Sequence, residues 1–232
     1  ILHDLGQPLH AFDADKIQGG KIHVKRMPAG TKFVTLDGKE RSLSGEELMI
    51  CDKQEGLCIA GTLGGQESGV SSQTSTIFLE SACFGMDVVR RGAQFHGIKT
   101  DASFRFERGT DPNMPVFALK MAAMLIKDLS GAVISSPITD IYPEPIADFE
   151  IPVSYRHINR LIGKEIGNEK IKQILESLEI KVTNETELGF VAIVKPYRVD
   201  VTREADIIEE ILRIYGFEAI PLKENYQADF LA

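Results

Sequence analysis

The sequence predicts an α+β protein in two units: a mixed α/β module, then a small three-helix unit with a short antiparallel sheet. Three observations point there. Residues 20–84 carry short alternating or wholly apolar runs separated by glycines and an Asp-Gly pair, the pattern of antiparallel strands. From residue 86 the apolar spacing lengthens to that of helices. Pro143-Glu144-Pro145 then reads as a linker, and beyond it three amphipathic segments follow in close order. The expected boundaries are 1–145 for the first unit, 146–221 for the second, and 222–232 for a tail leading towards a further domain.

The first unit opens on Gly6-Gln7-Pro8-Leu9-His10-Ala11-Phe12-Asp13, which reads as a stiff turn and not as a helix or strand. Pro8 fixes its own φ and pushes Gln7 towards extended backbone, while Gly6 permits geometries other residues avoid. Such a turn can hold the His10 imidazole in one place, or it can simply pack it. Gly20 to Met27 alternates as a half-buried strand does. Thr31 to Leu36 and Lys39 to Leu43 form a hairpin around Asp37-Gly38. Leu48 to Cys51 and Gly56 to Ala60 read as short buried strands. Gly61, Gly64, Gly65 and Gly69 then crowd one decapeptide, where the backbone must turn sharply or approach something closely. The decapeptide matches neither G-x-x-x-x-G-K-[ST] nor G-x-G-x-x-G, so no phosphate is assigned to it. Ser75 to Phe84 is a strand running into a turn.

Residues 86–96 form a helix ending at Gly97. Asp111 and Pro112 supply the N-cap and first residue of a long helix. It carries Val116, Leu119, Ala123 and Ile126, is expected to bury most of its face, and ends at Gly131. Val133 to Ile141 is the last strand of this unit. In the second unit Ser154 caps a helix with Ile158, Leu161 and Ile162. Asn168 caps another with Ile171, Ile174, Leu175 and Leu178. Lys181 to Thr183 and Phe190 to Val194 pair around Gly189. Thr202 caps a third helix with Ile207, Ile208, Ile211, Leu212 and Tyr215 inward and Gly216 at its end.

The chain has 232 residues, 43% of them hydrophobic, which is enough for a proper core and against disorder. A formal net charge of −8 argues against a whole-surface nucleic-acid binder. A local basic mouth is still open to it: Arg90, Arg91, Lys99, Arg105 and Arg108 outnumber the acids in residues 90–108. A solvated charged loop is the alternative. Cys51, Cys58 and Cys83 make an odd count without metal-ligand spacing, which suits a reducing compartment. No apolar run approaches the ~18 residues a membrane helix needs. The chain opens on Ile-Leu-His and closes on Phe-Leu-Ala, and it reads as a piece of a longer protein.

The chemistry narrows by elimination. There is no His-Glu-x-x-His pair and no paired-cysteine motif, so a zinc site is not expected. There is no G-x-S-x-G elbow. Cys58 and Cys83 lie in apolar runs and read as core. Glu80 sits among apolar or small neighbours, and a buried carboxylate must be paired, hydrogen-bonded or protonated. It either pairs with an arginine such as Arg90 or waits in a pocket for a ligand's hydrogen bond. His10, the glycine loop, Glu80 and the 99–108 stretch would, if they converge, make a cavity with an imidazole, a carboxylate and a basic rim.

These stretches together resemble one family. The opening octapeptide, Leu36-Asp37-Gly38, Ala60-Gly61-Thr62-Leu63-Gly64-Gly65 with Glu67-Ser68, Leu79-Glu80-Ser81-Ala82-Cys83-Phe84 and Arg105-Phe106-Glu107-Arg108-Gly109 with Asp111-Pro112 resemble the beta subunit of bacterial phenylalanyl-tRNA synthetase, in order and spacing. The first unit resembles its B3/B4 module. The second, ending in Glu209-Glu210-Ile211-Leu212-Arg213-Ile214-Tyr215-Gly216, resembles its B5 domain.

The resemblance implies tRNA editing, the hydrolysis of tyrosine wrongly esterified to tRNA(Phe), without a covalent enzyme intermediate. It implies His10 and Glu80 as the catalytic pair, with Glu80 reading the phenol. Pro8, Gly61, Thr100 and Ala102 would line the amino-acid pocket. It further implies a cytoplasmic enzyme of two alpha and two beta subunits that meets the tRNA(Phe) acceptor end. ATP and magnesium belong to the alpha subunit's aminoacylation site, so no cofactor or metal is expected in this stretch.

Two other readings stand beside this one. The chain could be an inert scaffold of the synthetase, or residues 148–220 could bind nucleic acid directly. The acidic run Glu204, Asp206, Glu209 and Glu210 counts against the latter.

Overall fold

The computed structural model of the chain describes residues 1–221 and divides into two units, Ile1–Glu144 and Pro145–Ala232. The expected tail, 222–232, lies outside the described residues. In the first unit a single helical turn, α1 (Leu2–Leu5), leads into strand β1 (Leu9–Asp13). Short strands follow: β2 (His23–Lys25), β3 (Lys32–Val34), β4 (Glu40–Ser42), β5 (Met49–Cys51), β6 (Gly56–Ile59), β7 (Leu63–Gly64) and β8 (Ile77–Ser81). Helices α2 (Met86–His96), α3 (Asp101–Phe106) and α4 (Pro115–Ser130) come after them.

The strands form three small antiparallel sheets: β1 with β8, β3 with β4, and the four-stranded order β2-β5-β6-β7. A bridge between Thr35 and Gly65 joins the hairpin to the glycine-rich segment. Two apolar clusters hold the unit. Phe12, Leu57, Cys58, Phe84, Val89 and Phe106 form one; Phe33, Leu43, Met49, Cys51, Ile59 and Ile98 form the other.

Several expectations are corrected here. The opening octapeptide is not only a turn, because Leu9–Asp13 is strand β1 with Pro8 immediately before it, a position where a missing N–H costs the ladder nothing. The strand expected at Val133–Ile141 does not form. Pro137 removes a ladder donor in its middle, and Val133 and Ile141 are exposed. Helix α4 starts at Pro115, not Pro112, since Asp111 instead closes a turn onto Asn113 through a 2.9 Å hydrogen bond. Nor does α4 bury most of its face: Ala118 and Ala122 are buried, while Phe117, Met121, Met124, Leu125 and Leu129 are exposed. Cys83 is exposed and is not core. The hairpin turn spans Leu36-Asp37-Gly38, with the Thr35 amide donating to the Lys39 carbonyl at 3.1 Å, so it is longer than a two-residue turn. Strand β2 is shorter than predicted and exposed.

The second unit contains strand β9 (Phe149–Ser154), helix α5 (Tyr155–Ile162), helix α6 (Asn168–Ser177), strands β10 (Lys181–Thr183) and β11 (Gly189–Val194), and helix α7 (Glu204–Tyr215). The sheet order is β10-β11-β9, all antiparallel. Sequence reasoning missed β9, whose Pro152 lies on a strand at the sheet's edge, where proline is tolerated. The Ser154 hydroxyl caps α5 by accepting from the His157 amide. Gly167, not Asn168, is the cap position of α6. Arg203, not Thr202, precedes α7, and the Asp206 carboxylate reaches back to accept from the Thr202 and Arg203 amides at 3.0 and 2.8 Å. Ile158, Ile171, Leu175, Ile207 and Ile211 are fully buried at the centre of this unit.

Leu175→Ala should destabilise the second unit by about 2–5 kcal/mol, because a cavity replaces a fully buried side chain of its core. Denaturant unfolding checks this. A change below about 0.5 kcal/mol would show that α6 does not carry the core.

Candidate active site

Strands β1 and β8 pair so that His10 lies directly opposite Glu80, with Leu9 opposite Ser81 and Phe12 opposite Phe78. Opposed residues project to the same face of an antiparallel ribbon, so the imidazole and the carboxylate face the same space. That space is a cavity of about 210 Å³. Pro8, His10, Gly61, Glu80, Thr100 and Ala102 all line it, so the structure brings together the six residues singled out from the sequence. Leu36, Cys58, Phe84 and Phe106 complete much of its apolar wall. Leu36, Phe84 and Phe106 fall within the motifs that carry the family resemblance, but no local pattern assigned them a place in the site, because that depends on how distant elements meet. Pro8, Leu9 and Ala102 also form a partition between the cavity and an open apolar groove against α4.

The two ionisable groups are held but not satisfied. His10 Nε2 and Glu80 Oε2 are buried with no hydrogen-bond partner. Burial depresses the His10 pKa and raises that of Glu80 to about 7. In both cases the cause is loss of water around the charged form. The imidazole is therefore neutral near pH 7, and the carboxyl group is poised between its two forms. Arg90 does not pair with Glu80; it donates to the Glu107 carbonyl at 2.7 Å.

His10 is seated by its neighbours. Its ring stands edge-on to Phe12 with centroids 4.5 Å apart. On the other side a β-carbon at Gly64 would lie 2.6 Å from His10 Cε1, so only glycine lets the imidazole lie against that backbone. Gly61 has a different reason. Its φ of +66° is left-handed, and a β-carbon there would press on Phe106, Phe84 and Val89. Its demand is thus set by the core behind it.

Thr100 and Ala102 arrive on α3. The Thr100 hydroxyl accepts from the Ser103 amide at 3.0 Å as the helix N-cap and donates to the Thr62 carbonyl at 2.9 Å. It thereby fixes α3 to the glycine-rich segment. Ala102 presents only a methyl group. The basic rim is thinner than expected: Arg91 pairs with Asp87, and Arg108 pairs with Glu107 and stacks over Phe104. Lys99 and Arg105 are exposed. Among the described residues no group of three or more His, Cys, Asp or Glu side chains converges as a metal would require.

The first unit matches, over residues 1–131, the family described as the B3/4 domain. The chain belongs to the B3/4 domain family. Residues 151–217 match the tRNA synthetase B5 domain. Over nearly its whole length the chain resembles phenylalanine–tRNA ligase beta subunits. It is 53% identical over 228 residues to that of Bacteroides fragilis strain YCH46, covering 98% of the chain and 28% of the relative. It is 41% identical to that of Protochlamydia amoebophila, again covering 28% of the relative. The chain therefore spans little more than a quarter of the length of these curated relatives. An N-terminal fragment of the phenylalanyl-tRNA synthetase beta subunit from Pyrococcus horikoshii is a looser likeness, with TM-score 0.45 and 16% identity over 90% of this chain and 60% of that one.

The raised Glu80 pKa has a stability consequence of definite sign. Between the unfolded pKa near 4.5 and the folded value of about 7, the folded protein binds more protons, so Glu80 lowers stability as pH rises through that window. Glu80→Gln should therefore match the parent near pH 4 and exceed it by about 3 kcal/mol at pH 8. Denaturant unfolding at both pH values measures it. An equal difference at the two pH values would show that Glu80 is not held as described.

Proposed function

We propose that the first unit, residues 1–145, is an editing hydrolase that clears tyrosine mis-esterified to tRNA(Phe). Residues 146–221 are its B5 companion within a phenylalanine–tRNA ligase beta subunit. The observation that carries this reading is the pair of unpartnered groups, His10 and Glu80, opposed across one ribbon in one cavity whose other lining residues are apolar or glycine apart from Thr62 and Thr100.

Tyrosine differs from phenylalanine by one hydroxyl, which an apolar synthetic pocket rejects poorly. A site that offers a carboxylate to that hydroxyl reverses the preference. The tyrosine phenol donates to Glu80, whereas phenylalanine leaves the carboxylate buried and unpaired. Phe84, Phe106 and Leu36 supply apolar contact for the ring. Neutral His10, on the same face of the ribbon, accepts a hydrogen bond from water at Nε2 and aims it at the ester carbonyl. The water oxygen bonds to the carbonyl carbon, the bond from that carbon to the ribose oxygen breaks, and the departing ribose oxygen becomes a hydroxyl by taking the proton the water has lost. Tyrosine leaves as the free amino acid, and no enzyme nucleophile takes part.

In the whole ligase this unit would meet the tRNA(Phe) acceptor end. Two beta chains would assemble with two alpha subunits, in which ATP and magnesium serve aminoacylation. Such an enzyme works in the cytoplasm in protein synthesis. Among the described residues no helix is long and apolar enough to cross a membrane.

Deacylation of tyrosyl- and phenylalanyl-tRNA(Phe) tests the assignment. The tyrosyl ester should be cleared selectively, and Glu80→Ala should reduce the preference by about a hundredfold or more. Unchanged discrimination in Glu80→Ala would remove Glu80 from the site. Absence of hydrolysis by the parent would favour the inert scaffold.

A further inference from the structure

Leu36 lines the cavity although its side chain is 48% exposed. It sits at the tip of the β3–β4 hairpin. Its placement is fixed by polar groups. The Leu36 amide donates to the Gly64 carbonyl at 2.9 Å, and the Thr35 hydroxyl donates to Asp37 Oδ1. That hydrogen bond is the leading reason why the Asp37 pKa is lowered.

Arg41 on β4 organises the turn, with only 13% of its side chain exposed. Its Nε donates to Thr35 Oγ1 at 3.0 Å, and Nη2 donates to Asp37 Oδ2 at 3.0 Å. Its third nitrogen points elsewhere: Nη1 donates at 2.8 Å to the carbonyl of His96, the last residue of α2. That carbonyl has no partner within the helix, and a cation there also suits the helix dipole. Four residues later comes Thr100, which caps α3 and, with Ala102, forms another wall of the cavity.

We propose that Arg41 is a positioning residue that ties the Leu36 wall of the cavity to the Thr100–Ala102 wall, so that the two stand at a fixed separation around a bound ligand. It touches no ligand itself. Lysine cannot replace it, because three differently placed acceptors require the planar fork of a guanidinium. The kinetic consequence rests on the editing reading; the mechanical one does not.

Two measurements on Arg41→Met and Arg41→Lys in the full chain separate these. In amide hydrogen exchange, residues 35–39 and 97–101 should loosen together by about tenfold in Arg41→Met, since segments open locally according to the contacts that hold them. Arg41→Lys should loosen both to a similar extent, and β9–β11 should be unaffected. Loosening of one segment alone, or of neither, would overturn the clamp. In deacylation of tyrosyl-tRNA(Phe), both variants should lose about tenfold to a hundredfold in kcat/KM through misplacement, mainly in KM, with the pH profile unmoved. Added guanidinium should restore part of the rate to Arg41→Met. A shifted pH profile or full activity in Arg41→Lys would contradict the proposal. If the parent itself clears no tyrosyl ester, the editing reading fails while the exchange result still decides the role of Arg41.

Discussion

The site depends on one interaction, the antiparallel pairing of β1 with β8. It joins residues 70 apart in the chain, His10 and Glu80, and gives them a common face. The ribbon is held at both ends. At one, Gln7 Nε2 donates to the Ala82 carbonyl at 2.7 Å. At the other, Asp13 accepts from the Thr74 hydroxyl at 2.7 Å while its amide donates to the Ser68 carbonyl at 3.0 Å. These anchors set the register. A slip of one residue on either strand would turn its ionisable group to the opposite face and leave the cavity with one polar group instead of two.

Two glutamates, Glu47 and Glu80, show what distinguishes a site from a support. The Glu47 side chain is 1% exposed, and burial alone would push its pKa up. The Ser44 and Gly45 amides donate to its carboxylate at 2.9 to 3.0 Å, and His96 Nε2 lies 2.8 Å away. Its pKa is lowered as a net result. Glu47 is thus a satisfied anion that pins the β4–β5 loop to the end of α2. Glu80 is partly buried, with its Oε2 enclosed but given no such donors, and its pKa is raised to about 7. The same side chain serves structure where the protein supplies the hydrogen bonds and is free for a ligand where it does not.

Part of the cavity was legible from the sequence as isolated oddities: a histidine two residues after a proline, a carboxylate in an apolar run, glycines in a cluster; Thr100 and Ala102 came only with the family resemblance. Their convergence was legible only through family resemblance, because strand register over 70 residues has no local signature. Helices with a clear apolar period, such as α2 and α7, read well. Elements set by proline position read poorly, as at Val133–Ile141 and at the start of α4. The glycine cluster looks like one feature in the sequence, yet Gly61 answers to the core behind it and Gly64 to the His10 ring in front. Arg41 carried no signal at all, since the helix-end carbonyl it reaches belongs to a residue 55 positions away.

The central claim is that Glu80 is an unpaired carboxyl group kept for a phenol. Carbon-13 NMR titration of the Glu80 side chain, alone and with non-hydrolysable tyrosyl and phenylalanyl adenosine amides, tests it most directly. The account predicts titration near 7 in the free protein, a fall on binding the tyrosyl compound as the phenol stabilises the carboxylate, and no fall with the phenylalanyl compound. Titration in the ordinary carboxylate range in the free protein, or the same response to both compounds, would contradict it.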